Sequence, residues 1–192
     1  MQGPRIAAVD LACRRGHRLL FRGLSFSLAP GEALQVAGAN GVGKSSLLRL
    51  LAGLGRPFSG TVQREGAVGL VDERSALDPE ATLGGALAFW NRIDGTRAVG
   101  VRTLGLYDLL DVPVRYLSTG QRKRAALARL LGQDTAIWLL DEPLNGLDVT
   151  AIALVERLIA EHCAAGGIAV IASHQALTAP GLTGIALEEF AA

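Results

Sequence analysis

The sequence predicts an α/β fold: a largely parallel sheet carrying helices, with an antiparallel β subdomain and an inserted helical subdomain. Three observations carry this reading. Ala33-Leu34-Gln35-Val36-Ala37 reads as a short buried strand that runs into a glycine-rich loop. Ser46-Leu47-Leu48-Arg49-Leu50-Leu51-Ala52 comes next with the spacing of a helix. Two further apolar runs, residues 136–140 and 168–173, flank a long helical stretch at 149–165. Strand–helix–strand alternation builds a parallel sheet, and its strands are apolar throughout because both faces are covered.

Taken in order, residues 5–28 read as antiparallel β structure. Ile6-Ala7-Ala8-Val9-Asp10-Leu11 is one run, and Leu24-Ser25-Phe26-Ser27-Leu28 alternates apolar residues with serine. The polar turn Arg14-Arg15-Gly16-His17-Arg18 lies between them. Pro30-Gly31 closes the second run, and residues 55–60 form another turn. Thr61-Val62-Gln63-Arg64 and Ala67-Val68-Gly69-Leu70-Val71 are short strands, and residues 72–79 are a polar loop. From about 80 to 131 the pattern turns helical. Leu83, Ala86, Leu87 and Trp90 recur at helical spacing, as do Val101, Leu104 and Leu106 before Asp111-Val112-Pro113 breaks the run. The aromatic residues here are core or a partner surface. A helix over 122–131 comes after this break. The helix at 149–165 stops at Gly166-Gly167, and the tail from 181 holds one more short strand. The whole reads as one domain, residues 1–192, with the 80–131 subdomain inserted in the α/β core.

Composition narrows the class. Hydrophobic residues make up 49% and charged residues 19%, as in a globular chain and not a disordered one. Net charge is +1, so nothing global points to nucleic acid as a partner. Runs such as Ala136-Ile137-Trp138-Leu139-Leu140 fall far short of the ~18 residues a membrane span needs. Met1-Gln2-Gly3-Pro4 leads into a charged segment, with no secretory signal visible. Cys13 and Cys163 have no metal or redox spacing and read as free thiols of a reducing compartment.

The chemistry centres on Gly38-Ala39-Asn40-Gly41-Val42-Gly43-Lys44-Ser45, the pattern of a phosphate-binding loop. A polyphosphate is wrapped by consecutive backbone N–H groups, so the backbone must curl tightly, and the loop glycines permit that path. Lys44 brings positive charge to the β- and γ-phosphates, and the Ser45 hydroxyl can ligate Mg²⁺. Ser46 opens the helix whose N-terminus points at the anion. The chain has 17 Arg and two Lys, Lys44 and Lys123, yet keeps Lys at the loop. A compact ammonium fits a phosphate cradle where a planar guanidinium would not. Ser45, Asp141 and His174 all lie just past strand ends, where ligands of parallel sheets bind.

Leu117-Ser118-Thr119-Gly120-Gln121 narrows the class of phosphate-loop protein. Read alone, Ser118 or Thr119 is an ordinary helix cap, and such a cap is also a good second phosphate clamp. Together with the phosphate loop, the Asp141-Glu142 strand end and the late His174, this stretch resembles the signature motif of ATP-binding-cassette (ABC) ATPases, with Thr119 where Gly is commoner. The resemblance implies the P-loop ABC ATPase fold, ATP and Mg²⁺ as cofactors, and hydrolysis of ATP. It implies that Ser45 and Asp141 hold Mg²⁺, that Glu142 is the general base for the attacking water, and that His174 contacts the γ-phosphate. Each of the last two also has a structural reading, as a buried-edge carboxylate and as a histidine closing a strand. Asn145-Gly146-Leu147-Asp148 resembles the loop that couples two sites. ATP is then sandwiched between the phosphate loop of one subunit and the Leu117–Gln121 signature of another, in a head-to-tail homodimer that drives integral membrane transporter subunits.

Two departures from the family pattern stand out. Glu73 sits near the position of a Gln that touches Mg²⁺, and its oxygens can still ligate the metal while adding negative charge. Arg15 sits about where an adenine-stacking aromatic is expected; it stacks on the base or is a solvated turn charge. Three stretches are similar to the haem-exporter ATP-binding subunits of bacterial cytochrome c maturation. They are residues 18–26, residues 111–118 and Ala172-Ser173-His174-Gln175. That likeness implies a peripheral ATPase on the cytoplasmic face of the bacterial inner membrane. The ATPase subunit of another small ABC transporter and a weakly catalytic nucleotide-gated module remain alternatives.

Overall fold

The structure, a computed structural model, describes residues 3–73, 76–95 and 100–191. Residues 74–75 of the expected polar loop and 96–99 of the expected helical stretch lie outside the described residues.

Strands β1 (Arg5–Arg15) and β2 (Arg18–Leu28) form an antiparallel hairpin across Gly16-His17. Strand β3 (Ala33–Ala37) leads through the glycine loop into helix α1 (Lys44–Ala52). Strand β4 (Ser59–Glu65) returns to pair antiparallel with the free side of β1, giving a sheet ordered β2-β1-β4. Strands β5 (Val68–Val71), β6 (Ile137–Asp141), β7 (Ile168–Ala172) and β8 (Leu182–Ala186) join β3 in a second sheet. Its order is β5-β6-β7-β3-β8, and every pair in it is parallel.

The parallel sheet is packed on both faces, and the two-residue period of its strands divides the core. Ile137 and Leu139 of β6, with Ile168 and Val170 of β7, meet α1 and the antiparallel sheet through Leu47, Leu51, Phe21 and Leu24. Trp138 and Leu140, with Ala169 and Ile171, face the other way into the layer built by α2 (Leu83–Asp94), α3 (Thr119–Gly132) and α4 (Val149–Ala164). Among the described residues no helix is long and apolar enough to cross a membrane.

One expectation is corrected. Residues 101–106 form no α-helix. Their backbone bonds run Gly105 to Arg102, Leu104 to Gly100 and Leu106 to Val101, so the ladder never settles into one period. Two 3₁₀ turns, Tyr107–Leu109 and Val114–Tyr116, complete the connection to α3. The stretch between Gly100 and Gly105 is too short to offset helix nucleation, and burial of Leu104 and Leu106 holds it instead. The apolar spacing that imitated a helix is the spacing of residues reaching one core from a turn.

Near the C-terminus of α4, the His162 ring stacks on Trp138, with centroids 3.9 Å apart and 8° between planes, and Nε2 lies 3.3 Å from the Ile168 carbonyl. Burial holds the imidazole below its usual pKa, opposed by backbone contacts with Ile168 and Ala136. The fold therefore favours neutral His162, while the unfolded chain takes up the proton more readily. This contribution is present above the unfolded pKa and is lost as pH falls through the folded value. His162→Gln should flatten the drop in urea midpoint between about pH 7 and pH 5; an unchanged slope would mean His162 is not a source of acid sensitivity.

Candidate functional site

Strand order assembles the site. β6, β7 and β3 are neighbours, so the turns leaving their C-terminal ends meet at one edge of the sheet. After β3, Gly38, Gly41 and Gly43 take φ of 148°, 85° and 122°, values that L side chains rarely adopt. Helix α1 then starts with the Leu47 N–H on the Gly43 carbonyl at 2.8 Å. Lys44 is 6% exposed. Its Nζ donates to the carbonyls of Gly38 at 2.7 Å and Ala39 at 3.4 Å, and lies 3.3 Å from Glu142 Oε1.

Glu142 is left-handed, at φ +46°, a strained setting for a non-glycine residue. Its own N–H, donated to the Ala172 carbonyl of β7 at 2.8 Å, holds it there. That turn leaves Glu142 Oε2 2.9 Å from His174 Nδ1. The histidine turn is itself tied to the strand that carries the phosphate loop. Ser173 is fully buried and its N–H donates to Val36. Gln35 Nε2 donates to the Gln175 carbonyl at 2.7 Å. Lys44, Glu142 and His174 are thus one connected row.

Asp141 is 3% exposed, and its Oδ1 is buried without a hydrogen-bond partner. Burial raises its pKa, while the neighbouring Ser45 hydroxyl pulls the other way. Lys123, also buried, donates to the Asp141 carbonyl at 2.8 Å. Burial pushes the Lys123 ammonium below its usual value, against the pull of Asp141, Glu73, Glu142 and Asp72. Both lysines of the chain therefore face the paired carboxylates. The orphaned Asp141 oxygen beside the Ser45 hydroxyl fits a hard divalent cation. Mg²⁺ is usually bound through one or two carboxylates and completes its shell from phosphate and water.

A cleft of about 760 Å³ opens on this edge. Its wall includes Asn40, Gly41 and Gly43 from the loop, Lys44, Ser45 and Ser46 from the start of α1, Asp141 at the end of β6 and Glu142 just after it, and Glu73, Thr119 and Arg15. Gly38, Ala39, Val42, Leu117, Ser118, Gly120, Gln121, Asp148 and His174 are not among the residues that line it. Ser118 caps α3 in a reciprocal box: its Oγ accepts the Gln121 N–H at 3.2 Å and its N–H donates to Gln121 Oε1 at 2.7 Å. Asp148 caps α4 by accepting the Ala151 N–H at 2.8 Å. Asn145, of the stretch likened to a coupling loop, lines the cleft too, as do Arg18, Asp72, Arg122 and Lys123, which sequence reasoning missed as site residues. For Lys123 a signal existed: it is the second of two lysines among 17 arginines.

A family model for ABC transporters matches residues 21–145. The chain is 56% identical to the cytochrome c biogenesis ATP-binding export protein CcmA of Novosphingobium aromaticivorans, over 99% of both chains. The chain belongs to the CcmA family of ABC transporter ATPases. It is also 49% identical to CcmA of Zymomonas mobilis, covering 98% of this chain and 86% of that one. CcmA-type ABC proteins hydrolyse ATP. A Pyrococcus furiosus chain described as an ABC transporter ATP-binding protein superposes with a TM-score of 0.85 over 98% of this chain and 100% of its own, at 19% identity. That likeness shows the shared fold.

In this CcmA-family chain the signature turn and the loop after β6 touch backbone to backbone. A Cβ on Gly120 would stand 2.4 Å from the Gly146 carbonyl oxygen. Gly120→Ala should therefore destabilise the chain by about 1–3 kcal/mol in urea unfolding, whereas Gly184→Ala, with open space around it, should change it by under about 0.5 kcal/mol. Equal effects would contradict the close contact.

Proposed function

We propose that this chain is the ATP-driven subunit of a haem-export transporter serving cytochrome c biogenesis. Two copies close head to tail on ATP and drive integral membrane subunits at the cytoplasmic face of the bacterial inner membrane. The single observation that carries the reading is the row Lys44–Glu142–His174 at the mouth of the phosphate loop, with distances of 3.3 and 2.9 Å. The likeness to cytochrome c biogenesis ATP-binding export proteins supports the transport role.

Each group has a part in the reaction. Lys44 leaves the Gly38 carbonyl and turns to the β- and γ-phosphates. Amides from Asn40 to Ser46 wrap the polyphosphate at the N-terminus of α1. Glu142, freed of its lysine, takes the proton of the attacking water, and His174 orients that carboxylate and reaches the γ-phosphate. Ser45 and Asp141, with Glu73 as a third oxygen, would hold Mg²⁺. The metal supplies neutralisation of phosphate charge. Arg15, paired across the hairpin with Arg18, stacks on the base. The Leu117–Gln121 turn of a second copy covers the phosphates, and Asp148 with its loop links that turn to the first site.

Lys44→Ala should abolish ATP binding. Glu142→Gln should keep binding and slow hydrolysis by roughly 10²–10⁴-fold, read from phosphate release at saturating Mg-ATP. Turnover near the parent rate would remove Glu142 from the role of base. Purification of the tagged chain from native membranes should bring integral subunits with it; recovery of the chain alone would contradict the transporter reading.

A further inference from the structure

The parallel pairing of β8 with β3 ends at Ala186 opposite Ala37. From there the two segments leave the sheet side by side, one as Gly38-Ala39 and the other as Leu187-Glu188. The second segment is pinned at both ends. Leu187 is fully buried, and Ala191 forms a β-bridge with Phe21 of β2. Its 3₁₀ turn, Leu187–Phe190, therefore holds Glu188 beside the start of the phosphate loop.

Glu188 Oε1 accepts the N–H of Ala39 at 2.5 Å. The carboxylate also lies against Gly38, 3.8 Å from where a Cβ on that residue would be. The Ala39 N–H and the Gly38 carbonyl belong to one peptide unit, and Lys44 Nζ holds that carbonyl at 2.7 Å. One peptide plane is thus gripped from both ends, by the loop's own lysine and by an acid 149 residues away in sequence. The lysine grip is temporary, because Lys44 must let go of the carbonyl to reach a phosphate. The Glu188 grip needs no such release. Neither Ala39 nor Glu188 lines the cleft, whereas Asn40 does.

We infer that Glu188 is a positioning residue: it fixes the Gly38–Ala39 peptide from behind, so that the amides from Asn40 onward are set for polyphosphate before it arrives. The inference rests on the reading of residues 38–45 as the phosphate cradle. A charge-assisted hydrogen bond is stronger than a neutral one. A loop already held in its bound shape loses less conformational freedom on binding, which appears as affinity.

The test measures Mg-ATP affinity with a fluorescent ATP analogue, together with KM and kcat, on the full chain carrying Glu188→Ala or Glu188→Gln. Lys44→Ala is the control for the cradle. Glu188→Ala should weaken binding roughly tenfold and raise KM in step, with kcat at saturating ATP within about twofold of the parent. Glu188→Gln retains an oxygen acceptor for the Ala39 N–H and should recover most of the lost affinity. Parent-like affinity in Glu188→Ala would overturn the inference. So would an equal shift in both variants, above all toward tighter binding, since that would make the charge a repulsion and not a grip. Retained binding in Lys44→Ala would instead bring down the cradle reading itself.

Discussion

Two carboxylates stand at the end of a strand with no water on either face, and the rest of the site depends on how their charge is offset. Every residue of β6 is buried, so Asp141 and Glu142 emerge from a low-dielectric layer directly into the cleft. Adjacent buried anions are costly unless cations or hydrogen bonds compensate them. Here the compensation is one ammonium on each. Lys44 faces the Glu142 carboxylate, and Lys123 reaches the Asp141 carbonyl with its charge beside that residue. A chain that uses arginine almost everywhere else places its two lysines at this point. A compact ammonium can turn from one partner to another within a tight loop, which a planar fork of five donors does less readily.

The backbone is arranged to serve that pair. Strand order β6-β7-β3 places the carboxylates, the histidine turn and the phosphate loop on successive strands. Glu142 accepts a left-handed backbone and so points along the edge toward His174. Gln35, inside β3, bonds the far side of the histidine turn, which makes the loop and the histidine parts of one rigid strand end. Strain at Glu142 is thereby held by the Ala172 carbonyl on β7 and by the ion pair in front. Gly120 and Gly146 pass the same rigidity to the signature turn, because their backbones touch without side chains between them.

Much of this was legible in the chain. The strands at 33–37, 136–140 and 168–173 announced themselves because burial on both faces demands unbroken apolar runs. The glycine turn from β3 into α1 was legible because the loop pattern fixes residue type at each position, and a cap at Ser118 because serine before a helix is a local signal, although α3 starts three residues earlier than the 122–131 reading. What stayed hidden was non-local. The apolar spacing at 101, 104 and 106 is shared by helices and by turns that reach one core, and only tertiary packing separates them. That β4 would join β1, and that Arg18 would sit across from Arg15 at the cleft, depend on strand pairing. Lys123 and Glu188 carry no motif, and their placement comes from which elements meet. Asp148 was the reverse case: an Asp before a helix is a plain capping signal, and the family likeness drew attention to a coupling role first.

On the proposed reading one molecule is only half of a working site, since it is the Leu117–Gln121 turn of a second copy that covers the phosphates. Light scattering of the Glu142→Gln chain, with and without Mg-ATP, addresses this most directly. The expected result is the mass of one chain without nucleotide and of two chains with it, reverting when ATP is removed. A one-chain mass with ATP fully bound, together with parent turnover per chain that does not change on dilution, would contradict it.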